Sequence, residues 1–294
     1  MTVCVRLVTG ALAAGLFAVL AHPALSLDAP SKSWALCAAS STIVTGTLHV
    51  PVEELRAAQG SGGRYVSATV DVSEVLKGER SEARVVTFFS DDRPYAPKSI
   101  ELVALDGRPV LLFLTAIPDD GASGQPKTYF AGYTPGAVRP LSPSELTDIR
   151  AEIARQTRVL RNWRPHPEWP HEAAVKKLIA KTLVRTTAAR AFHDLENLGP
   201  AAVPALSDLM DDRRRLGAEG IALKNPPGGF EGHRIYRPVL VVDALAAILN
   251  QITGADFGSI ANGGVERQRR LAVNGWRIYT DMQRNQGGAR SGSS

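Results

Sequence analysis

The sequence predicts an α+β protein of two domains, a small β-barrel followed by an all-α helical stack. The first half contains short runs of β-branched and aromatic residues, as strands do, whereas the second half repeats apolar residues at helical spacing. The charge changes as well, because residues 27–150 carry 12 Lys and Arg against 15 Asp and Glu, and the residues from 151 onward carry 21 against 14. Two domains of different surface chemistry are therefore expected.

Residues 1–26 have the pattern of a cleaved signal peptide. Arg6 precedes an apolar run from Leu7 to Leu20, and Pro23 and small residues follow as far as Ser26. We therefore expect a periplasmic or secreted protein. The alternative is an uncleaved membrane anchor, for which the apolar run is short, since a bilayer requires about 20 apolar residues.

Residues 27–141 predict the small β-barrel. The stretches STIVTGTLHV (41–50), YVSATVDVSEVLKG (65–78) and ARVVTFF (83–89) are rich in β-branched and aromatic residues, and the second alternates apolar with polar side chains. The apolar run PVLLFLTAI (109–117) indicates a strand buried on both faces. Several short strands separated by turns favour a small closed barrel.

The elements SSTIVTGTL, VDVSEVLKG and GRPVLLFLTA together resemble a domain frequent in exported bacterial proteins. That domain is similar in plan to the oligonucleotide- and oligosaccharide-binding (OB) barrels of netrin-like modules and tissue inhibitors of metalloproteinases, so the resemblance implies an OB-like barrel. Those inhibitors use an N-terminal cysteine and disulfides to reach the metal of a protease. Once Cys4 leaves with the signal peptide, Cys37 has no partner for a disulfide, so inhibition is not implied.

Residues 142–161 predict a helix that connects the two domains. Ser142 is the expected N-cap, Pro143 the first helical residue, and Glu145 the second member of a capping box. One side of the helix is expected to be apolar, and the opposite side to expose Arg150, Arg155 and Arg158. Residues 162–171 then predict a stiff proline-rich linker, whose two tryptophans dock on neighbouring surfaces.

Residues 172–284 predict a helical domain, and residues 285–294 a disordered tail. The first helix of the domain is expected to place Val175, Leu178, Ile179 and Thr182 on one face. The stretch LGPAAVPALSDLMDD (198–212) resembles the inner part of a HEAT repeat, in which a helix ends at glycine and proline opens the next helix. The resemblance implies stacked helix pairs, because one pair does not bury its apolar seam alone. The span 213–236 is too rich in Gly and Pro for a repeat turn, and it predicts either a short hairpin from Phe230 to Tyr236 or a groove-facing loop.

The segment NQITGADFGSIANGG (250–264) predicts a helix end rather than a ligand loop. Gly254 supplies the left-handed residue that ends a helix, and Phe257 is expected to fold back onto Leu249 or Ile248. No strand precedes the segment and it holds a single carboxylate, so neither a phosphate loop nor a calcium loop is expected. The run from ILNQITGADFG to NGWRIY is similar to a C-terminal signature of exported bacterial proteins with HEAT-like helices.

The sequence holds no HExxH, GxSxG, P-loop or CxxC motif. We therefore expect a non-enzymatic interaction or scaffold protein of the cell envelope, without a cofactor, whose partner is a protein or a peptide. Contact with an anionic envelope surface is also open, whereas nucleic acid is not expected for an exported protein. The candidate binding residues, which either pair with a partner's carboxylates or only solvate the surface, are Arg213, Arg214, Arg215, Arg267 and Arg270.

Two other functions stay open. A metal-assisted hydrolase would use the region of His166 and His171, where imidazoles and carboxylates lie close in sequence. A sugar- or peptide-binding barrel would use exposed aromatic side chains, for which the candidates are Tyr65, Tyr95 and Tyr133. The polar residues His193, Asp194 and Glu196 are expected to form only a solvated helix face.

Overall fold

The computed structural model of the protein describes residues 33–58, 65–79, 83–89, 99–116, 128–131, 136–224 and 232–291. The predicted signal peptide lies outside these residues. The described chain combines a mainly antiparallel sheet in the first half with helices that occupy most of the second half. The α+β class is therefore confirmed.

Strands of the first half form a sheet that closes on itself. They are β1 (Thr42–His49), β2 (Tyr65–Lys77), β3 (Ala83–Phe89), β4 (Pro109–Ala116), β5 (Thr128–Phe130) and β6 (Val138–Pro140). β1 pairs antiparallel with both β2 and β4, and β3 pairs parallel with β5. Because β5 also pairs with β4, the strands run in the order β1, β2, β3, β5, β4 and return to β1, with β6 beside β4.

The inside of this ring is apolar. The predicted alternation in β2 is confirmed, since Val66, Ala68 and Val70 are buried and the residues between them are exposed. β4 is buried along almost its whole length, as its continuous apolar run predicts. Where β1 and β2 change register, a Cβ on Gly46 would lie 2.3 Å from the carbonyl oxygen of Asp71, so the close approach of the two backbones requires glycine.

The described helices are α1 (Trp34–Ala39), α2 (Val52–Ala58), α3 (Ser99–Val103), α4 (Pro143–Asn162), α5 (Glu172–Thr182), α6 (Arg185–Asn197), α7 (Val203–Asp208), α8 (Val241–Thr253) and α9 (Glu266–Ser291), with a short 3₁₀ helix at Pro200–Ala202. α5 buries the predicted face, Val175, Leu178, Ile179 and Thr182. α9 continues to Ser291, so the tail predicted from residue 285 is helical to that point, because no proline interrupts it.

A hairpin interrupts the helices, so the prediction of an all-α second half is wrong. Its strands are β7 (Ile221–Lys224) and β8 (His233–Tyr236). β7 buries Ile221 and Leu223 and exposes the residues between them, which is the period of a strand. The hairpin that forms is longer than the predicted one, because its first strand comes before residue 230 and only its second strand falls within residues 230–236.

α4 begins as expected but is not capped as expected. Pro143 is its first residue, whereas the side chain of Ser142 bonds to Ser144 rather than to the helix backbone. The carboxylate of Glu145 forms an ion pair with Arg139, which comes before the helix in the chain. The carboxylate therefore has a partner other than the backbone N–H groups at the start of the helix. The position of the helix is thus confirmed, and the capping box is wrong.

α4 also buries polar side chains that were expected in solvent. Arg155 is 2% exposed and Glu152 is 2% exposed, and Gln156 is buried beside them. Nε and Nη2 of Arg155 donate to Glu152, and its Nη1 donates to Asp281 of α9. The predicted exposure of Arg155 is wrong because the helix is covered on this side by the second half of the chain.

α1 lies between the closed sheet and the helices. Its Cys37 packs with Ile43 of β1 and Phe113 of β4. On the other side, the ring of Trp34 lies 6.3 Å from that of Phe257 and 6.0 Å from that of Tyr279. This short helix therefore belongs to two cores at once.

The end of α8 agrees with the sequence in part. Gly254 is left-handed, with φ of 74°, and its N–H donates to Asn250, so it ends the helix as predicted. Phe257 packs edge-on against Trp276, with 5.0 Å between the ring centroids, and belongs to the same core as Ile248 and Leu249. The predicted cap contact stays a prediction. A Cβ on Gly275 would lie 2.4 Å from Cγ of Phe257, so the ring occupies the space that this glycine leaves.

Candidate interaction site

Two of the predicted binding arginines are held by neighbouring carboxylates. Arg213 pairs with Asp211 at 2.7 Å and with Glu266 at 3.0 Å. Arg214 pairs with Asp212 at 2.6 Å. The hydrogen bond from Arg213 holds the pKa of Glu266 below its usual range. Both guanidinium groups are therefore already neutralised within the chain.

The other three predicted arginines are exposed. Arg267 and Arg270 lie in the first turn or so of α9, and the charge of Arg270 acts on Glu266 beside Arg213. Arg215 forms an isolated β-bridge with Leu240. A single binding site made of the five predicted arginines stays a prediction.

Arg215 lines a cavity of roughly 580 Å³. Three parts of the chain form its wall. They are the start of α6 at Arg185, the residues 215–219 and the residues 237–239. Arg185 and Arg237 line the same cavity. Among the described residues, the side chains of these three arginines form no hydrogen bond or ion pair. The wall also includes the carboxylate of Glu219, so the lining carries an excess of positive charge.

Backbone contacts hold the three segments together. Gly217 donates its N–H to Thr182 at 3.0 Å, and Leu216 donates to Val239 at 3.2 Å. A Cβ on Gly217 would lie 2.6 Å from the carbonyl oxygen of Leu183, so only glycine allows this approach. The positions of the arginines are thus set by main-chain packing rather than by their own side chains.

A buried ion pair between Asp243 and Arg269 fixes the end of the segment 237–239. Asp243 of α8 is fully buried and accepts hydrogen bonds from the backbone N–H groups of Val239 and Leu240. Arg269 of α9 donates to both oxygens of the same carboxylate, at 2.8 and 3.0 Å. The carboxylate of Asp243 on α8 thus bonds both to the segment that enters the cavity and to Arg269 on α9. These bonds attach the segment to the two helices.

Exposed apolar side chains stand in the cavity wall or close in sequence to the residues that line it. Val239 lines it and is 46% exposed, and Val184, directly before Arg185, is 51% exposed. Ile235 of β8 is 75% exposed. Together with Val265, which is 44% exposed, these are the large apolar side chains that stand exposed in the described chain. Their concentration around unpaired arginines makes this region distinct from the rest of the described surface.

The hairpin presents one strand edge to solvent. β7 packs against α6 and α8, and the N–H of Lys224 donates to Glu196 of α6 at 3.0 Å. β8 lies on the far side of β7, with which it forms a two-stranded sheet. Among the described residues no strand pairs with the other edge of β8, and the chain continues into Arg237, whose N–H donates to the side chain of Asn262 at 2.9 Å.

Glu196 departs from the solvated face that was predicted for its helix. It is 8% exposed, because β7 covers it, whereas His193 remains exposed. The sequence pattern did not reveal this, since the strand that buries Glu196 comes later in the chain. The carboxylate thus has a structural role in fixing the hairpin to α6.

The two histidines of the predicted linker are described by their own local contacts. The ring of His166 stacks on Trp169 at 4.7 Å, and Asp208 accepts hydrogen bonds from the backbone of His166 and from the indole of Trp169. His171 precedes α5 with a left-handed backbone. In the part of the chain that the structure describes, no three His, Cys, Asp or Glu side chains are grouped as a metal ion requires. The hydrolase alternative stays a prediction.

The barrel alternative also stays a prediction, because the side chains of Tyr65, Tyr95 and Tyr133 lie outside the residues that the structure describes. The exposed side chains described on β2 are polar ones, such as Ser67, Thr69 and Asp71.

Comparisons with protein-family models, with curated proteins and with solved structures find no match. The HEAT-like and OB-like resemblances therefore stay predictions. Within the described ranges, no helix combines the length and the apolar character that crossing a membrane requires.

Proposed function

We propose that this protein is a non-enzymatic interaction module that binds another protein or a peptide. The binding surface that we infer is the hairpin face, defined as Val184, Arg185, Arg215, Ile235, Arg237 and Val239. The observation that carries the proposal is the grouping of exposed apolar side chains around arginines that have no partner within the described chain.

Such a composition suits an interface better than it suits a solvent-exposed surface. Exposed apolar side chains cost free energy when they gather in one patch, and larger patches mark interaction sites. Arginine is enriched in interfaces because its planar guanidinium pairs with carboxylates and stacks on other groups. The described arginines outside this face more often have acidic partners, as Arg213 and Arg214 do.

The architecture that we propose behind this surface has two parts. The order of the five ring strands and the parallel pairing of β3 with β5 support an OB-like barrel in the first half. The antiparallel packing partners α5 and α6, followed by Gly199 and Pro200, support an irregular HEAT-like stack in the second. The hairpin face then lies where the stack departs from a regular repeat.

We place the protein in the periplasm or outside the cell, as the pattern of residues 1–26 indicates. A basic second half also favours contact with an anionic envelope surface. We do not propose nucleic acid as a partner, because the protein is expected to be exported. The partner is accordingly sought among envelope proteins.

Affinity capture from an envelope extract, followed by mass spectrometry, tests the proposal. The test variant is Ile235→Asp combined with Val239→Asp, which places charge on two exposed side chains without touching a core. The control is Arg190→Glu, which makes the same change in net charge on an exposed part of α6. We expect wild type and control to retain a common set of proteins that the double variant loses at an unchanged melting temperature. Equal capture by all three proteins overturns the proposal.

A further inference from the structure

We propose that the ligand of the hairpin face is an acidic peptide segment, bound in extended conformation as an added strand along β8. This inference rests on the proposed function and specifies its partner. It follows from three properties of the hairpin, which are its free edge, the direction of its side chains and the charge beside it.

The free edge supplies main-chain hydrogen-bonding groups. β8 pairs with β7 on one side, and no described strand pairs with it on the other. The opposite edge of the hairpin is closed by α6, to which Lys224 is bonded through Glu196. An exposed strand edge of this kind is the template on which an extended peptide adds a strand.

The side chains of β8 favour a ligand that carries an apolar residue and an acidic residue two positions apart. Tyr236 is buried and faces the helices, so Ile235 and Arg237, which flank it, face the other way. An added strand would place an apolar side chain beside Ile235 and, on the same face, a carboxylate near Arg237.

The cavity extends the positive charge beyond the strand. Arg185 and Arg215 face Arg237 across it, and none of the three is neutralised by a described carboxylate. Glu219 is the acidic member of the same wall, and it is outnumbered. A ligand carboxylate reaching this cavity would form charge-assisted hydrogen bonds with guanidinium groups.

The charge alone would also suit an anionic membrane. A membrane surface, however, offers no N–H and C=O groups for a strand edge, whereas an extended peptide offers both in the right period. The peptide accounts for the edge, the exposed isoleucine and the arginines together, so we commit to it and treat the membrane as an outcome of the test.

The experiment measures fluorescence anisotropy of a labelled peptide of about eight residues, within the usual range of strand lengths, in which every second residue is by turns Val and Glu and the residues between them are Thr. A second peptide replaces every Glu by Gln. Two further peptides carry N-methyl groups, one on the Val and Glu residues and the other on the Thr residues. Since successive N–H groups of a strand point to opposite sides, only one of these two methylated peptides loses the hydrogen bonds to β8.

We expect the Gln peptide to bind at least about tenfold more weakly, and Arg237→Glu to weaken binding of the Glu peptide to a similar extent, because both remove an ion pair at the cavity. Arg190→Glu should leave binding unchanged. One N-methylated peptide should lose binding and the other should keep it. That asymmetry is the result that side-chain attraction alone does not produce.

Equal effects of the two methylation patterns, or binding that ignores the Glu to Gln change, overturn the inference. So does binding of the protein to vesicles of anionic phospholipid in the absence of any binding to the Glu peptide. If the inference fails while capture of envelope proteins still depends on Ile235 and Val239, the proposed function stands and only the mode of binding is wrong. If that capture dependence is absent as well, both fail.

Discussion

The guanidinium of Arg155 on α4 donates to the carboxylate of Asp281 on α9 at 2.8 Å, deep between the two halves of the chain. The same guanidinium pairs with Glu152, which is buried beside it. Gln156 completes the group by donating both to Glu152 and to the carbonyl oxygen of Trp34. The helix that follows the closed sheet is thus joined to the last helix by buried polar contacts.

Replacing Arg155 by methionine should therefore destabilise the protein strongly. Methionine keeps much of the volume but leaves Glu152 as a buried charge without its cation, which costs about 3–5 kcal/mol. Urea unfolding measures the loss. The control is Arg150→Met, because Arg150 pairs with Glu74 at an exposed position and should cost less than about 1 kcal/mol. Similar losses of unfolding free energy for both variants would show that the buried ion pair of Arg155 contributes no more to stability than the exposed ion pair of Arg150.

Replacing Asp243 by alanine should loosen the wall of the cavity as well as the core. The variant leaves Arg269 without its carboxylate and removes the acceptor for the amides of Val239 and Leu240. We expect a loss of about 3 kcal/mol or more in unfolding free energy. We also expect faster hydrogen exchange at residues 239 and 240 than at α5 amides. Unchanged exchange there would mean that the segment is held by other contacts.

Gly275→Ala should destabilise the protein although alanine is the better helix former. Helix propensity favours alanine by about 1 kcal/mol. The added methyl, however, meets the ring of Phe257, and overpacking of this kind costs about 1–3 kcal/mol or more. Thermal unfolding gives the sign. In a Phe257→Leu background the same substitution should cost less, and equal costs in both backgrounds would contradict the packing explanation.

Lys77 and Cys37, which lie in contact, are expected to change the unfolding free energy in opposite directions at alkaline pH. Nζ of Lys77 donates to the carbonyl oxygen of Cys37. Burial lowers the pKa of Lys77 from 10.5 to about 8, and burial together with the charge of Glu152 raises the pKa of Cys37 from 9.0 to about 12. Between pH 8 and 10.5 the unfolded chain binds the Lys77 proton that the native state has released, so this group makes stability rise with pH.

Cys37 acts in the other direction above pH 9, because the native state keeps the thiol proton that the unfolded chain loses. Between pH 9 and 10.5 the two effects oppose each other in the wild type. Cys37→Ala should therefore show a more positive slope of unfolding free energy against pH over that interval, whatever its offset. Parallel slopes for wild type and variant, measured by urea unfolding, would count against the pKa of the thiol being raised.

Local patterns predicted the elements whose burial depends on their own sequence. The alternation in β2 and the apolar face of α5 are recovered because each side chain's environment follows from its position along one strand or helix. Arg155 and Glu196 were placed wrongly for the converse reason. What buries them is α9 in one case and β7 in the other, and neither is visible in the residues around them.

The candidate site was predicted only at Arg215. Clustering in sequence led to Arg213 and Arg214, but the nearby Asp211 and Asp212 that neutralise them are in the same stretch. The cavity joins side chains from three separate segments, and their meeting depends on the approach of Gly217 to the turn after α5. The periodicity of apolar residues describes single helices and strands. It does not indicate which loops come together to line one cavity.

The position of α1 has a consequence for the order in which the chain can fold. Trp34 emerges early during synthesis or transport, yet its aromatic partners, Phe257 and Tyr279, are near the other end of the chain. Until those residues arrive, the indole has nothing to dock on, and the joint between the two halves stays open. A nascent chain stopped before α9 would thus keep α1 on the sheet through Cys37 but leave the ring of Trp34 without Tyr279, an uncovered apolar surface of the kind that chaperones and proteases recognise.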